Sequence, residues 1–239
     1  MKIIDGLDIG WGGVQRWATS RMPEIAGLHL DFACGYGTFT AQLGWRFPDI
    51  HLVGLNIDYS GPHACIKSLL DEAGVVATLV QSDAQYMPFK DETFRSVSCF
   101  LGLQDIKIGF GETGVAKSVR EAVRVLRYRG VMVLIDEFPF SDFQKILDEL
   151  PVIEVERAER RIDVRWERGI AERAIALYAE GWVAQHRGHC DRRLYDEKFT
   201  EMKYDMEDQL REQGYYVPFG PIRMIIVEKR EQTAAVLRQ

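Results

Sequence analysis

A short apolar strand that runs straight into a glycine turn constrains this chain more than any other segment. The strand, residues 28–32, carries Asp31, and Gly35 and Gly37 follow it before residues 38–47 take up a helical pattern. Glycine reaches positive φ at little cost, and its missing Cβ lets another molecule lie against the main chain. A glycine turn between a strand and a helix N-terminus is typical of α/β sheets that hold an elongated polar ligand.

Strands and helices alternate beyond this turn. Apolar runs predict further strands at 51–57, 75–81, 96–101 and 131–135. Residues with helical spacing predict helices between or after them at 62–73, 113–128 and 142–150. This alternation requires βαβ units and therefore a parallel sheet with right-handed crossovers. The predicted fold is α/β: a Rossmann-like, doubly wound, mainly parallel sheet with helices on both faces.

Two amphipathic helices interrupt the alternation before a last strand. Residues 167–187 and 194–213 carry apolar stripes of helical period, and Gly214 provides a C-terminal stop. We expect the helices to pack over the sheet rather than to form an independent domain. We predict an N-terminal helical segment at 1–27 and a main domain made of 28–159 and 214–230. The helical insertion occupies 160–213.

Composition excludes several classes of function. The net charge of −6 argues against a large nucleic-acid footprint. No apolar run approaches the roughly 18 residues of a membrane span, and the N-terminus lacks the apolar stretch of a secretory signal. Four widely spaced cysteines favour reduced thiols. We expect a cytoplasmic protein without membrane or nucleic-acid partners, and a homo-oligomer stays open.

Polar side chains follow the next strands at the edge where carboxyl ends of parallel strands meet. Asn56 comes about 20 residues beyond the glycine turn, where a side chain can bond a ribose diol. Asp83 can accept from an exocyclic amine, and the N–H of Ala84 can reach a ring nitrogen. The apolar end of the strand at Leu101 offers cover. Together these strand ends suit a nucleoside.

In order, these pieces resemble the class I S-adenosylmethionine-dependent methyltransferases of the ubiquinone/menaquinone and sterol methyltransferase-like branch. The resemblance covers roughly residues 28–136 and the last strand, and it rests on four segments at 31–37, 53–58, 82–94 and 121–136. The most specific is the Asp-Ala-x-x-x-Pro-Phe element that starts at Asp83. The resemblance implies S-adenosylmethionine as cofactor and direct in-line methyl transfer to a small or medium organic acceptor. We expect the helical insertion at 160–213 to be the cap that faces this acceptor.

The resemblance also implies a role for each matching residue. Asp31 steadies the glycine turn near the methionine amino group of the cofactor, and Asn56 faces the ribose. Asp83 bonds the adenine amino group. The remaining implied cofactor contacts are Ala33, Cys34, Gly35, Gly37, Ile57, Ala84 and Leu101. For uptake of an acceptor proton we favour Asp105, with Gln104 and Glu137 as alternatives.

Other interpretations stay open. Asn56 stands where the family usually has an acidic residue, and it or Asp83 can instead cap a strand or turn. A catalytically inactive cofactor-binding regulator is an alternative, and so is a dinucleotide-binding oxidoreductase, although Thr40 occupies the third glycine position of that motif. Cys34 is more consistent with a small buried residue than with a nucleophile. We expect no metal at the segment 186–190, because a structural site normally draws further ligands from elsewhere.

Overall fold

The computed structural model describes residues 11–162, 164–187, 192–217 and 219–231. These residues contain one seven-stranded sheet. The strands follow the order β3-β2-β1-β4-β5-β7-β6. Their bounds are β1 Gly27–Phe32, β2 Ile50–Asn56, β3 Ala77–Gln81, β4 Phe94–Phe100, β5 Leu126–Asp136, β6 Val152–Arg160 and β7 Ile222–Lys229.

One helix precedes the first strand, and the others lie between strands in the chain. Their bounds are α1 Trp11–Arg21, α2 Thr38–Arg46, α3 Ile66–Glu72, α4 Gly102–Val125, α5 Phe140–Leu147, α6 Arg168–Arg187 and α7 Arg192–Gln213. A 3-10 turn, Gly61–Cys65, precedes α3. Helix α4 is kinked at Gly111, whose φ of 68° and ψ of −173° are not helical.

The strand directions create a crevice beside the glycine turn. Strands β1 to β5 pair in parallel, and β7 runs antiparallel between β5 and β6. The order reverses between β1 and β4, because β1 leads to β2 on one side while β4 follows on the other. Ligands of open α/β sheets bind beyond the carboxyl ends of the strands at such a switch point. The predicted Rossmann-like fold is confirmed.

Two of the predicted helices differ from the structure. Helix α4 begins at Gly102 rather than at residue 113, and residues 126–128 belong to β5. Glycines at 109 and 111 interrupt the apolar spacing, so the sequence pattern conceals the first turns of the helix. The helix predicted at 62–73 begins as the 3-10 turn.

Strand β6 extends well beyond the short apolar run at its start. It continues through a charged segment to Arg160 and, among the strands of the described residues, pairs only with β7. An edge strand has one neighbour and an open side, so it tolerates the charged side chains that a central strand would exclude.

Residues 161–221 form a compact unit of their own. Helices α6 and α7 lie within it, close to the bounds predicted for the two amphipathic helices. Trp166 and Tyr216 pair through two backbone hydrogen bonds, each 2.9 Å long. The role of this unit as an acceptor cap stays a prediction.

Candidate active site

The glycine turn after β1 is closed by backbone hydrogen bonds at both ends. The N–H of Gly37 donates to the carbonyl of Cys34 at 2.9 Å. The N–H of Cys34 donates to the carbonyl of Leu55 in β2 at 3.1 Å, which anchors the turn to the neighbouring strand. The turn is thereby fixed across the carboxyl ends of two strands.

The two glycines of the turn have different surroundings. Gly37 has a φ of +77°, and a Cβ there would lie 2.6 Å from Cγ1 of Ile66 in α3. Gly35 has a φ of +51°, and a Cβ there would meet no protein atom within 4 Å. Gly37 is therefore needed for packing as well as conformation. Gly35 instead presents bare main chain to open space, as a turn must if a ligand lies against it.

Two residues other than glycine are left-handed at the ends of β1 and β4. Ala33 has a φ of 52° and Leu101 a φ of 57°. A left-handed conformation costs an L-residue roughly 1–2 kcal/mol. Gly102 lets these two strand ends approach, since a Cβ at Gly102 would lie 2.5 Å from that of Ala33. Strained residues cluster at functional sites, and these two border the switch point of the sheet.

Asp31 connects three elements beneath the turn. Its Oδ2 accepts from the Thr40 hydroxyl in α2 at 2.6 Å, and its Oδ1 accepts from the Ser98 hydroxyl in β4 at 2.9 Å. Burial raises the pKa of Asp31 to about 6, although both hydroxyl bonds oppose this rise. Both hydroxyls donate to the carboxylate, an arrangement that stabilises its charged form. The sequence patterns did not identify Ser98 as part of the site.

The end of β2 presents one polar and one apolar side chain. The Nδ2 of Asn56 donates to the carbonyl of Asp58 at 2.8 Å, so part of this amide caps the strand. Ile57 follows with 51% of its surface exposed. An apolar side chain this exposed beside a crevice suits contact with a planar ring. The predicted ribose contact of Asn56 stays a prediction.

The end of β3 is shaped by Asp83. Its Oδ1 accepts from the backbone N–H of Gln85 at 2.8 Å, and the Gln85 side chain lies within 3.3 Å of both carboxylate oxygens. Ala84 is buried directly after it. Asp83 thus caps the turn, yet an ionised carboxylate offers about four lone-pair sites and can accept a further donor.

Cys34 has the environment of a packing residue. Its Sγ lies 3.6 Å from the Tyr59 hydroxyl, which itself donates to the carbonyl of Gly54 at 2.8 Å. Burial, together with the charge of Asp31, raises the pKa of the Cys34 thiol to about 12. A thiol that stays protonated is a poor nucleophile.

The candidates for proton uptake differ in burial. Asp105 is exposed on the first turn of α4. Burial raises the pKa of Tyr36 in the glycine turn, and the charges of Cys65 and Asp105 add to this rise, which places Asp105 near the turn. Glu137 follows β5 with its Oε1 buried and without a hydrogen-bond partner among the described residues. Burial raises the pKa of Glu137.

Asp136 holds the start of α4 in place. Its Oδ2 accepts from the backbone N–H groups of Leu103 and Gln104 at 3.0 and 3.2 Å, and its Oδ1 accepts from that of Glu137 at 2.8 Å. Burial raises its pKa to about 7. No local pattern indicates that Asp136 caps a helix, because the N–H groups of α4 that it accepts from lie more than 30 positions earlier in the chain.

Neither a metal centre nor a membrane span is found in the described part of the chain. No group of three or more His, Cys, Asp or Glu residues there could hold a metal ion. His189 and Cys190 lie outside the described residues. No described helix is both long enough and apolar enough to cross a membrane.

The donor set at this edge fits S-adenosylmethionine better than a dinucleotide. The open face of Gly35 can take the amino-acid part, while Asn56, Ile57 and Asp83 follow on the next two strands toward β3. The buried Asp31 charge favours a cofactor that carries an ammonium and a sulfonium group. The same charge opposes a pyrophosphate at the N-terminus of α2.

Comparison with known proteins agrees with this geometry. Residues 30–134 match the methyltransferase domain family. The chain is 31% identical over 133 residues to a demethylmenaquinone methyltransferase of Roseiflexus castenholzii, covering 55% of this chain and 50% of that protein. The chain thus spans about half the length of this relative.

Solved structures share the fold. BH2331 of Bacillus halodurans superposes with a TM-score of 0.61 at 18% identity, covering 91% of this chain and 98% of that one. Phosphoethanolamine N-methyltransferase 2 of Haemonchus contortus, solved with S-adenosyl-L-methionine, gives a TM-score of 0.53 at 13% identity, covering 91% of this chain and 53% of that one. Residues 30–134 thus carry a methyltransferase domain, and the chain resembles the class I S-adenosylmethionine-dependent methyltransferases of the ubiquinone/menaquinone-like branch.

Proposed function

We propose that this chain transfers a methyl group from S-adenosylmethionine to a small or medium organic acceptor by direct in-line displacement. The observation that carries the proposal is the buried Asp31 carboxylate beneath an open glycine turn at the switch point of the sheet. That arrangement offers charge and bare main chain to a cationic amino-acid group. Acceptors of this size are consistent with the demethylmenaquinone methyltransferase relative.

The protein has to do little acid–base chemistry in this proposal. When bound, the cofactor supplies a sulfonium methyl group that is already activated. The chain must orient this group toward the acceptor and exclude water. Gly35 and Asp31 would hold the amino-acid part, Asn56 the ribose, and Ile57 and Asp83 the adenine.

Replacing Asp83 tests the adenine assignment. Asp83→Asn keeps an oxygen that can cap the N–H of Gln85, so the turn should persist. The loss of charge should weaken binding of S-adenosylmethionine by roughly 1–3 kcal/mol, as measured by titration calorimetry. Asp142→Asn, on the surface of α5, is the matched control and should bind as wild type. Equal affinities in all three proteins would move the adenine elsewhere.

We propose Glu137 ahead of Asp105 for uptake of the acceptor proton, since a buried carboxylate oxygen without a partner is costly unless a ligand completes it. With a protic acceptor, the acceptor atom would bond to the methyl carbon as the sulfonium bond breaks, and its proton would move to Glu137.

Glu137→Gln should therefore lower kcat roughly 100-fold or more while S-adenosylmethionine affinity stays unchanged. Asp105→Asn should have a smaller effect on kcat. The rate of wild type should also fall as the pH drops through the raised pKa of Glu137, and Glu137→Gln should lose this dependence. A larger kcat loss in Asp105→Asn would restore the prediction made from sequence.

The remaining features of the proposal concern partners and place. The acidic balance of the chain disfavours nucleic-acid binding, and its four widely spaced cysteines favour a reducing compartment such as the cytoplasm. We retain residues 160–213 as an acceptor cap, with a homo-oligomer interface as the alternative role for their apolar stripes. A regulator without catalysis would bind S-adenosylmethionine and release no demethylated product from any acceptor.

A further inference from the structure

A buried polar chain runs from His29 to the cofactor side of the sheet. His29 and Asp31 lie on β1 directly opposite Ser96 and Ser98 on β4. The ring nitrogens of His29 lie 2.7 Å from the Ser96 hydroxyl and 2.9 Å from the Ser98 hydroxyl. All four side chains are at least 98% buried. Polar side chains at the centre of a sheet must be hydrogen-bonded, because an unsatisfied polar group is costly to bury.

The charge of Asp31 sets the direction of every hydrogen bond in this buried polar chain. An ionised carboxylate only accepts, so the Ser98 hydroxyl donates its proton to Asp31 Oδ1. Ser98 then has only lone pairs to offer His29, whose Nε2 must carry the ring proton. Nδ1 of His29 consequently accepts from the Ser96 hydroxyl. One charge thus fixes one tautomer and two hydroxyl rotors.

We propose that His29 is a positioning residue for the cofactor site, acting through Ser98 to hold the Asp31 carboxylate in its orientation beneath the glycine turn. The Nε2–H of His29 keeps the Ser98 hydroxyl aimed at Asp31, and Ser96 keeps the imidazole in the required tautomer. The inference deepens the proposed function, because the orientation matters insofar as Asp31 receives the ammonium group of the cofactor.

The titratable side chains around Asp31 are neutral. Its charge is therefore stabilised by the hydroxyl donors and not by an opposite charge. Burial lowers the pKa of His29 to about 3. Burial raises the pKa values of Cys34 after β1, Tyr59 beyond β2 and Cys99 on β4, each of which also responds to the charge of Asp31. The Ser98 and Thr40 hydroxyls hold the pKa of Asp31 below the value that burial alone would produce.

Carbon-13 NMR of the aspartate carboxyl groups tests this arrangement in the cofactor-free protein. Ser98→Ala should raise the pKa of Asp31 by about one unit, a tenfold change in proton affinity, and His29→Leu should raise it by less. Ser98→Thr keeps the hydroxyl and should resemble wild type. His51→Leu replaces an exposed histidine on β2 and is the matched control. Circular dichroism confirms that each variant is folded.

Calorimetric titration with S-adenosylmethionine at several pH values then tests whether the buried polar chain affects cofactor binding. In wild type, affinity should fall as the pH drops through about 6, where Asp31 takes up a proton. This midpoint should move to higher pH in Ser98→Ala and His29→Leu but not in Ser98→Thr. An unchanged Asp31 pKa in folded His29→Leu and Ser98→Ala would overturn the inference. A shifted pKa with no cofactor binding by wild type would overturn the proposed function and leave the positioning chain standing.

Discussion

Gly37→Ala is expected to lower the free energy of unfolding by about 2–5 kcal/mol. The added Cβ would lie 2.6 Å from Cγ1 of Ile66, and the residue would be held at a φ of +77°. The left-handed conformation accounts for roughly 1–2 kcal/mol and the forced repacking for roughly 1–3 kcal/mol. Urea denaturation measures the loss.

Gly35→Ala is the matched control for this change. A Cβ at Gly35 meets no protein atom within 4 Å, so only the conformational cost of roughly 1–2 kcal/mol applies. The Cβ would nevertheless occupy the face that we assign to the amino-acid part of the cofactor. Affinity for S-adenosylmethionine should therefore fall in Gly35→Ala even at a temperature where the variant is fully folded. Equal stability losses at both glycines, or wild-type affinity in Gly35→Ala, would contradict this division of roles.

Asp136→Ala is expected to destabilise the protein by about 3 kcal/mol or more. The substitution leaves three backbone N–H groups at the start of α4 and the end of β5 without their acceptor, at roughly 1–3 kcal/mol for each group that stays buried. Asp142→Ala, which removes an exposed pair with Lys145, should change stability by less than about 1 kcal/mol. Chemical denaturation of both variants gives the comparison, and equal values would show that Asp136 is dispensable.

The raised pKa of Asp136 adds a dependence on pH. Folding raises this pKa from 3.8 to about 7 through burial, so the folded protein binds the proton more tightly. The resulting stabilisation is present in full below about pH 3.8 and is lost as the pH rises through about 7. Asp136→Asn should remove this share of the pH dependence of unfolding. Parallel stability curves for wild type and the variant would contradict it.

The sequence was informative where local geometry decides the structure. Gly35 and Gly37 predict a turn because few other residues adopt its positive φ. Apolar runs likewise predict the parallel strands. The contacts made by Asp31 could not be predicted in the same way. Ser98 is separated from it by 67 positions, and only the register of β1 against β4 brings the two together.

Burial and distant caps also escaped the sequence pattern. The start of α4 depends on the Asp136 carboxylate, which lies in a strand 33 positions from Leu103. The sequence favours Asp105 for proton uptake, whereas our proposal of Glu137 rests on a buried carboxylate oxygen without a hydrogen-bond partner in the described residues. Such differences arise from packing, which spacing along a chain does not encode.

The most direct test of the central claim is a crystal structure of the chain with S-adenosylhomocysteine. We predict the amino-acid part against Gly35 above Asp31, the ribose beside Asn56, and the adenine between Ile57 and Asp83. Density for the nucleoside at the carboxyl ends of β1, β2 and β3 would support the account. A nucleoside bound elsewhere, or a protein that takes up NAD but not S-adenosylhomocysteine, would contradict it.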